Sequence, residues 1–349
     1  MEDLQQNDLQ TQKASGCIEC GNPVVVPGYP NALCAECREN YTRFKVPKWI
    51  IVFAAVIGAI FLFSVYKIPK NLSIGIHIEK ASTAIEQKNF LTAQKELSKV
   101  SDRLPEDLEI QTHLLMASFY NEDFVTFNKV APVLVKKRFE DDDLFNKANN
   151  IFTQAALYYP TDSFTALSQR YKDNIDSIST DVLEQYLNGN KDDIYCRMLL
   201  ANRFFDKEDY PKTDSFLFGV LQVAPNHLAA LDMIAVSKRQ EGKLDESLTY
   251  CDRILAINKE SVFGMATKSR TFLKQKKDAE ALALAIKSHE MDENNPYATC
   301  SLILAYHFTN KTTERDKMMN KMKQQKDSAT TGMIQYVTDV ISGKESFRN

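Results

Sequence analysis

Glycine and proline are scarce here, 11 of each among 349 residues. Sandwiches, barrels and collagen-like chains depend on both for their turns, so the shortage excludes those classes and favours a mostly helical chain. Positive charge is not in surplus either. With 43 Lys and Arg against 46 Asp and Glu, and a net charge of −3, nothing is left over to neutralise a phosphate backbone, and nucleic-acid binding is not expected. The chain has no P-loop, no G-x-G-x-x-G, no H-E-x-x-H and no nucleophile elbow, and its five histidines, His77, His113, His227, His289 and His307, are scattered. Neither an enzymatic activity nor a small-molecule substrate is therefore expected. What is present, 44% hydrophobic and 26% charged residues, suffices for a large folded core.

Four of the seven cysteines, Cys17, Cys20, Cys34 and Cys37, form the pattern C-x2-C-x13-C-x2-C. Each two-residue spacer lets a turn aim both thiolates at one metal, and four thiolates complete a tetrahedral shell, so one structural Zn2+ is expected within residues 15–45. A catalytic zinc needs an open position, which four cysteines do not leave. A dithiol redox pair needs a βαβ context that the following residues do not supply. Cys196, Cys251 and Cys300 fall in helical stretches as small packed residues. With Gly21 after the first pair, the segment resembles a zinc ribbon or a treble-clef-like knuckle. That resemblance implies a metal-stabilised segment too short to build its own core. Residues 1–14 ahead of it are expected to lack structure.

From Trp49 to Tyr66 the chain reads WIIVFAAVIGAIFLFSVY, uncharged and apolar on every face. Such a run is expected to cross a bilayer as one helix within 47–68, with Trp49 and Tyr66 at the interfaces and Lys48 and Lys67 outside them. It is a retained anchor rather than a cleaved leader, since 48 residues with a metal site of their own precede it. Arg38, Arg43, Lys45 and Lys48 before the span outnumber Lys67, Lys70 and Lys80 after it by one. Thiolates that hold zinc also favour a reducing compartment, so the N-terminus is expected in the cytoplasm and the remainder in the periplasm or outside.

Beyond the anchor, self-comparison at a period of 34 aligns blocks starting at Ile74 and Leu108, and again at Ile194, Leu228, Val262 and Pro296. Each carries two helical stretches. Leu200, Ala201, Phe204, Tyr210 and Pro225 occupy the large, small, aromatic and closing positions of one block; Leu231, Ile234, Ala235, Gly242, Leu244, Ser247 and Ile254 serve the next. Ala81, Ala84, Phe90, Ala93, Leu97 and Pro105, then Leu114 and Phe124, fit the first two, while Phe272, Ala281, Ala285, Leu302, Tyr306 and Met322 fit the last two more loosely. These blocks resemble the tetratricopeptide repeat (TPR), in which small residues let paired helices approach and large ones fill the next groove. The resemblance implies a TPR-type α-solenoid of antiparallel helix pairs: two repeats over 72–141, an irregular helical region over 142–193 and four repeats over 194–329. A helix with Met333, Ile334, Val337 and Val340 on one face then caps the array over 330–345, and Ser346 to Asn349 are expected to fray.

Family resemblance also implies that the first helices of each pair line a concave groove that takes a peptide or partner helix. Projected on the last four repeats, that groove is lined by Tyr195, Met198, Asn202, Phe205, Asp232, Val236, Arg239, Phe263, Arg270, Lys274, Tyr297, Leu304, His307 and Phe308. Chaperone adaptors of this family clamp a terminal carboxylate with Lys and Asn; here the corresponding places hold Ile78, Ser82, His113, Met198, Leu199 and Asn202, a departure from that pattern. The expectation is a single-pass membrane scaffold that recruits protein partners. A receptor or chaperone-like factor for exported or unfolded chains, and a cysteine-dependent redox enzyme, are the alternatives.

Overall fold

The computed structural model describes residues 16–43, 46–324 and 328–348, excluding the side chains of 65–71 and 328–329. The segment 1–14 lies outside the described residues, as do 15, 44 and 45 of the cysteine-rich segment. Two compact units divide the chain at Leu72 and Ser73.

The helices, in order, are α1 (Ala35–Thr42), α2 (Lys48–Glu86), α3 (Phe90–Ser101), α4 (Leu108–Tyr120), α5 (Phe124–Val135), α6 (Asp142–Ala156), α7 (Asp162–Gln169), α8 (Thr180–Gly189), α9 (Ile194–Phe205), α10 (Tyr210–Val223), α11 (Leu228–Gln240), α12 (Leu244–Ile257), α13 (Val262–Lys274), α14 (Asp278–Met291), α15 (Pro296–Phe308), α16 (Thr312–Met322) and α17 (Ser328–Ile341). A 3-10 turn, Ile175–Ser177, precedes α8. No strand occurs among the described residues.

In the first unit, α2 begins at Lys48, immediately ahead of the apolar run. Among the described residues no helix is long and apolar enough to cross a membrane. Of the expected span 49–66, the side chains of 65 and 66 lie outside the described residues. Those before them face outward: Trp49, Phe61 and Leu62 are 67%, 65% and 69% exposed.

The second unit is a TPR-like array of antiparallel helix pairs. Its period is written into the backbone twice. First helices begin with side-chain caps at Asp193, His227, Ser261 and Asn295, each accepting the N–H three residues on. They end on a left-handed residue: Lys88 and Glu122, then Glu208, Gly242, Lys276 and Asn310, each 34 from the last within its set. The next residue's N–H then closes a six-to-one bond of 2.7–2.9 Å, as from Asp123 to Ser118 and from Lys277 to Phe272. Four of these six positions carry Lys or Glu, at a cost of about 1 kcal/mol each relative to glycine.

Small residues at the crossings are wholly covered, Ala201, Ala235, Ala281 and Ala285 at 0% exposure. The large residues between them, Leu200, Leu217, Leu231 and Ile234, are equally buried. At 142–193 the paired pattern gives way to α6, α7, the 3-10 turn and α8.

The array also turns back on itself, which the periodic pattern did not suggest. Lys259 N–H donates to Lys88 O at 3.0 Å. Asn258 Nδ2, on a side chain without solvent exposure, donates to Tyr120 O at 3.0 Å and Asn121 Oδ1 at 2.9 Å. The Glu260 carboxylate takes both the N–H and the hydroxyl of Thr92 at 2.7 Å. Lys88 and Lys95 reach the carbonyls of Ala256 and Met291 at 2.9 and 2.7 Å. Thus α2, α3 and α4 are tied to the ends of α12 and α14.

Residues 346–348 do not fray. Phe347 is buried against Phe308, and the Arg348 guanidinium lies 3.8 Å from the Phe308 ring.

Candidate functional site

Each unit presents a candidate site. In the first, the Gly21 backbone adopts φ +73°, which lets its N–H donate to Cys17 O at 2.9 Å and closes the turn carrying Cys17 and Cys20. Val26 N–H then meets Leu33 O at 2.9 Å, bringing the chain back so that Cys34 caps α1 and Cys37 sits in its first turn. The four sulfurs lie within 4.8 Å of one another, with Cys20 and Cys34 Sγ 3.6 Å apart. Four sulfurs around one zinc at about 2.3 Å stand about 3.8 Å apart, so the donor set fits a tetrahedral metal ion. Acidity is shared unequally: the Cys34 N–H brings the Cys17 thiol down to about 6, while the neighbouring thiols of Cys20 and Cys34 push Cys37 up. The four cysteines could hold a metal ion.

In the second unit, α9, α11, α13, α15 and α17 surround a cavity of about 800 Å³. Eight of the residues projected onto a groove line it: Asn202, Phe205, Asp232, Val236, Arg239, Phe263, Arg270 and Tyr297. Tyr195 and Met198 instead line a neighbouring cavity of about 220 Å³, where Tyr195 meets Phe164 edge-on. Leu304 is in the core at 0% exposure.

Lys274, His307 and Phe308 are not on the cavity wall. The end of the chain covers two of them, with Lys274 Nζ 5.8 Å from the Phe347 ring and Phe308 packed on Phe347, while His307 turns toward Arg315 of α16. Sequence reasoning did not place Glu122, Cys300, Met333 or Tyr336 here. Glu122 shares its repeat position with Gly242, a signal for the turn, but no local pattern shows that this turn meets α11. Met333 belonged to the apolar face of the expected cap, yet that face divides between core and cavity.

The charges of this cavity are unusual. Arg239 is only 4% exposed, and its Nε and Nη1 have no hydrogen-bond partner. Arg270, 6% exposed, donates from Nε to Ser301 Oγ at 2.8 Å and stacks 4.0 Å above the Tyr297 ring. Asp232 accepts the Thr267 hydroxyl at 2.8 Å. Burial raises its carboxyl, against the pull of Thr267 and the two arginines. Burial, helped by the charge of Asp232, pushes Glu122 up to about 8.

The remaining cysteines are packing residues in the second unit. Cys196, Cys251 and Cys300 are wholly buried, and burial pushes the first two thiols to about 12, which leaves no thiolate for redox chemistry.

No family model matches this chain. No curated protein matches it either. Among solved structures, a crystal structure of MamA is similar with 12% identity and a TM-score of 0.36, covering 54% of this chain and 99% of that one. A second MamA structure, MSR-1 C2, gives 14% and 0.30, covering 63% and 97%. The TPR2AB-domain:pHSP90 complex of yeast Sti1 gives 15% and 0.31, covering 68% and 98%. At these scores none of the likenesses bears on what this chain binds.

Proposed function

We propose that this chain is a single-pass membrane scaffold whose helical-repeat unit captures a protein partner in the cavity between α11, α13, α15 and α17. One observation carries the reading: Arg239, buried on the cavity wall, keeps two guanidinium nitrogens without partners. An unpaired buried cation costs several kcal/mol unless something satisfies it, so its persistence beside four aromatic rings marks a place for an external group. Phe205, Phe263, Tyr297 and Tyr336 supply the apolar contact expected of a protein interface.

The anchor is supported by the outward-facing run from Trp49 to Phe63, apolar surface that water does not favour. The four-cysteine cluster is taken as a structural Zn2+ site. With thiols needing a reducing compartment, the N-terminus is assigned to the cytoplasm and the repeats to the far side. No catalytic role is assigned to the repeats, because their buried thiols and scattered histidines compose no reactive group.

A photoreactive amino acid placed at Phe263, which is 37% exposed, tests the reading in intact cells. A discrete protein adduct is expected there, absent when the same probe replaces Val125, 84% exposed on α5, and absent after reversing the charges of Arg239 and Arg270 together. Adducts that ignore the two arginines would discard the cavity as the capture site. Protease treatment of sealed vesicles tests the topology: a protected N-terminus with digested repeats is expected.

A further inference from the structure

We infer that the cavity takes a polypeptide segment carrying both signs of charge, an acidic group held by Arg239 and a basic group held by Glu122 and Asp232, with apolar residues between. This rests on the reading of the cavity as a capture site and specifies what is captured.

Both signs stand on its wall without being spent on each other. Among the described residues, neither Arg239 nor Arg270 has a carboxylate within 4.0 Å, and no hydrogen bond reaches the Glu122 carboxylate. Elsewhere in the unit buried charges do pair: Lys238, in the same helix as Arg239, contacts Asp214 and lies 3.0 Å from Glu241. The difference is therefore particular to this cavity. Arg270 is held by Ser301 and Tyr297, so Arg239 is the free donor fork, suited to a carboxylate.

The opposite end is placed by burial, because Asp206 on this wall and Glu290 in the neighbouring cavity also lack a side-chain partner among the described residues but are exposed to water, whereas Glu122 is half-buried. Glu122 and Phe263 also line a second cavity of about 820 Å³ that is rich in acids. There Glu260 is taken by Thr92, Asp123 by Thr126 and Gln94, and Glu293 by Lys321. Glu122, where the two cavities meet, accepts no hydrogen bond at its carboxyl among the described residues, and a cation brought beside that carboxyl favours the ionised form. Its left-handed backbone, φ 57°, places it where the turn after α4 reaches the α11–α13 wall. A lone apolar ligand leaves both charges unsatisfied, and a lone anion leaves the carboxylates unsatisfied; complementary charge favours the ligand that meets both.

The test uses three blocked hexapeptides titrated calorimetrically into the full chain in detergent. One has lysine first, glutamate last and phenylalanine and alanine between; the others replace glutamate or lysine by glutamine. The mixed-charge peptide is expected to bind at least about tenfold more tightly than either other. Arg239→Met should erase the advantage given by glutamate alone, Glu122→Gln that given by lysine alone, and Arg239→Lys should restore part of the first. Circular dichroism of each variant checks folding. Equal affinities for the three peptides, an advantage that survives Arg239→Met, or no binding at all would overturn the inference. If the Phe263 adduct nevertheless forms and depends on the arginines, the capture site stands and only this charge assignment falls.

Discussion

The ring of Tyr158 lies flat on that of His227, centroids 3.9 Å apart and planes 10° from parallel, while its hydroxyl accepts the N–H of Leu228 at 3.0 Å. His227 Nδ1 at the same time caps α11 by accepting from Ala230 N–H. The imidazole must therefore be neutral, with its proton on Nε2, and Nε2 is buried without a partner. Burial accordingly lowers its pKa from 6.5 to about 4.

A lowered histidine pKa gives stability that is complete above pH 6.5 and is lost as pH falls toward 4. The loss is about 3 kcal/mol, since each tenfold change in proton affinity is worth about 1.4 kcal/mol. His227→Asn keeps an N-cap and removes the titration, so its denaturation midpoint should fall less between pH 7 and pH 4 than that of the parent chain. Parallel acid branches would show that His227 does not control them.

Glu122 has the opposite sign. A carboxyl raised from 4.5 to about 8 is neutral in the fold at pH values where the unfolded chain is ionised, so its relative stability falls from about pH 4.5 until pH 8. Asp232 is the charged group that acts on it, and Glu122 in turn helps to raise the Tyr158 hydroxyl. Glu122→Gln should leave stability unchanged at pH 4 and raise it by about 1–3 kcal/mol at pH 8.5, read by urea unfolding at both pH values.

Gly264 lies where α13 crosses α12. A Cβ there would stand 2.7 Å from Ile254 Cγ2, on a side chain only 2% exposed. Gly264→Ala should destabilise by about 1–3 kcal/mol despite the helical preference of alanine. Gly75→Ala, in α2 with nothing within 4 Å, should stabilise by about 0.5–1 kcal/mol. Thermal unfolding of the pair checks both signs; two variants moving together would show that the helix crossing does not set the difference.

Removal of metal should act on the first unit alone. One zinc per chain is expected by atomic absorption, and Co2+ substitution should give the intense thiolate-to-metal absorption of a four-sulfur site. Chelation should make the segment around Cys17 and Cys34 susceptible to protease while the melting of the repeats is unchanged. Cys34→Ser should reproduce that susceptibility without a chelator.

Repeat register was legible in the sequence because packing repeats it locally. Leu108, Ile194, Leu228, Val262 and Pro296 open α4, α9, α11, α13 and α15, since small and large residues must recur at each crossing. Ile74 falls inside α2 instead, because that helix continues through Pro69, where a proline would ordinarily mark a stop, and runs on into the first repeat. The turn residues were less visible: only Gly242 and Asn310 announce a left-handed position by their chemistry, whereas Lys88, Glu122, Glu208 and Lys276 reach it through bonds made by their neighbours. Arg239 and Arg270 could be projected onto a groove from the repeat resemblance. The meeting of Glu122 with α11 could not, because it depends on Lys88 finding Lys259, a contact between residues far apart in the chain. The C-terminal covering of Phe308 escaped for the same reason.

That tie between Lys88 and Lys259 has a bearing on how this chain can vary. An open array tolerates the gain or loss of a repeat, since each unit touches only its neighbours. Here an inserted or deleted 34-residue block between the two lysines would shift one contact partner relative to the other, so Asn258 and Glu260 would no longer meet Tyr120 and Thr92. The clasp thereby ties the number of repeats between Lys88 and Lys259 to the contacts at its two ends.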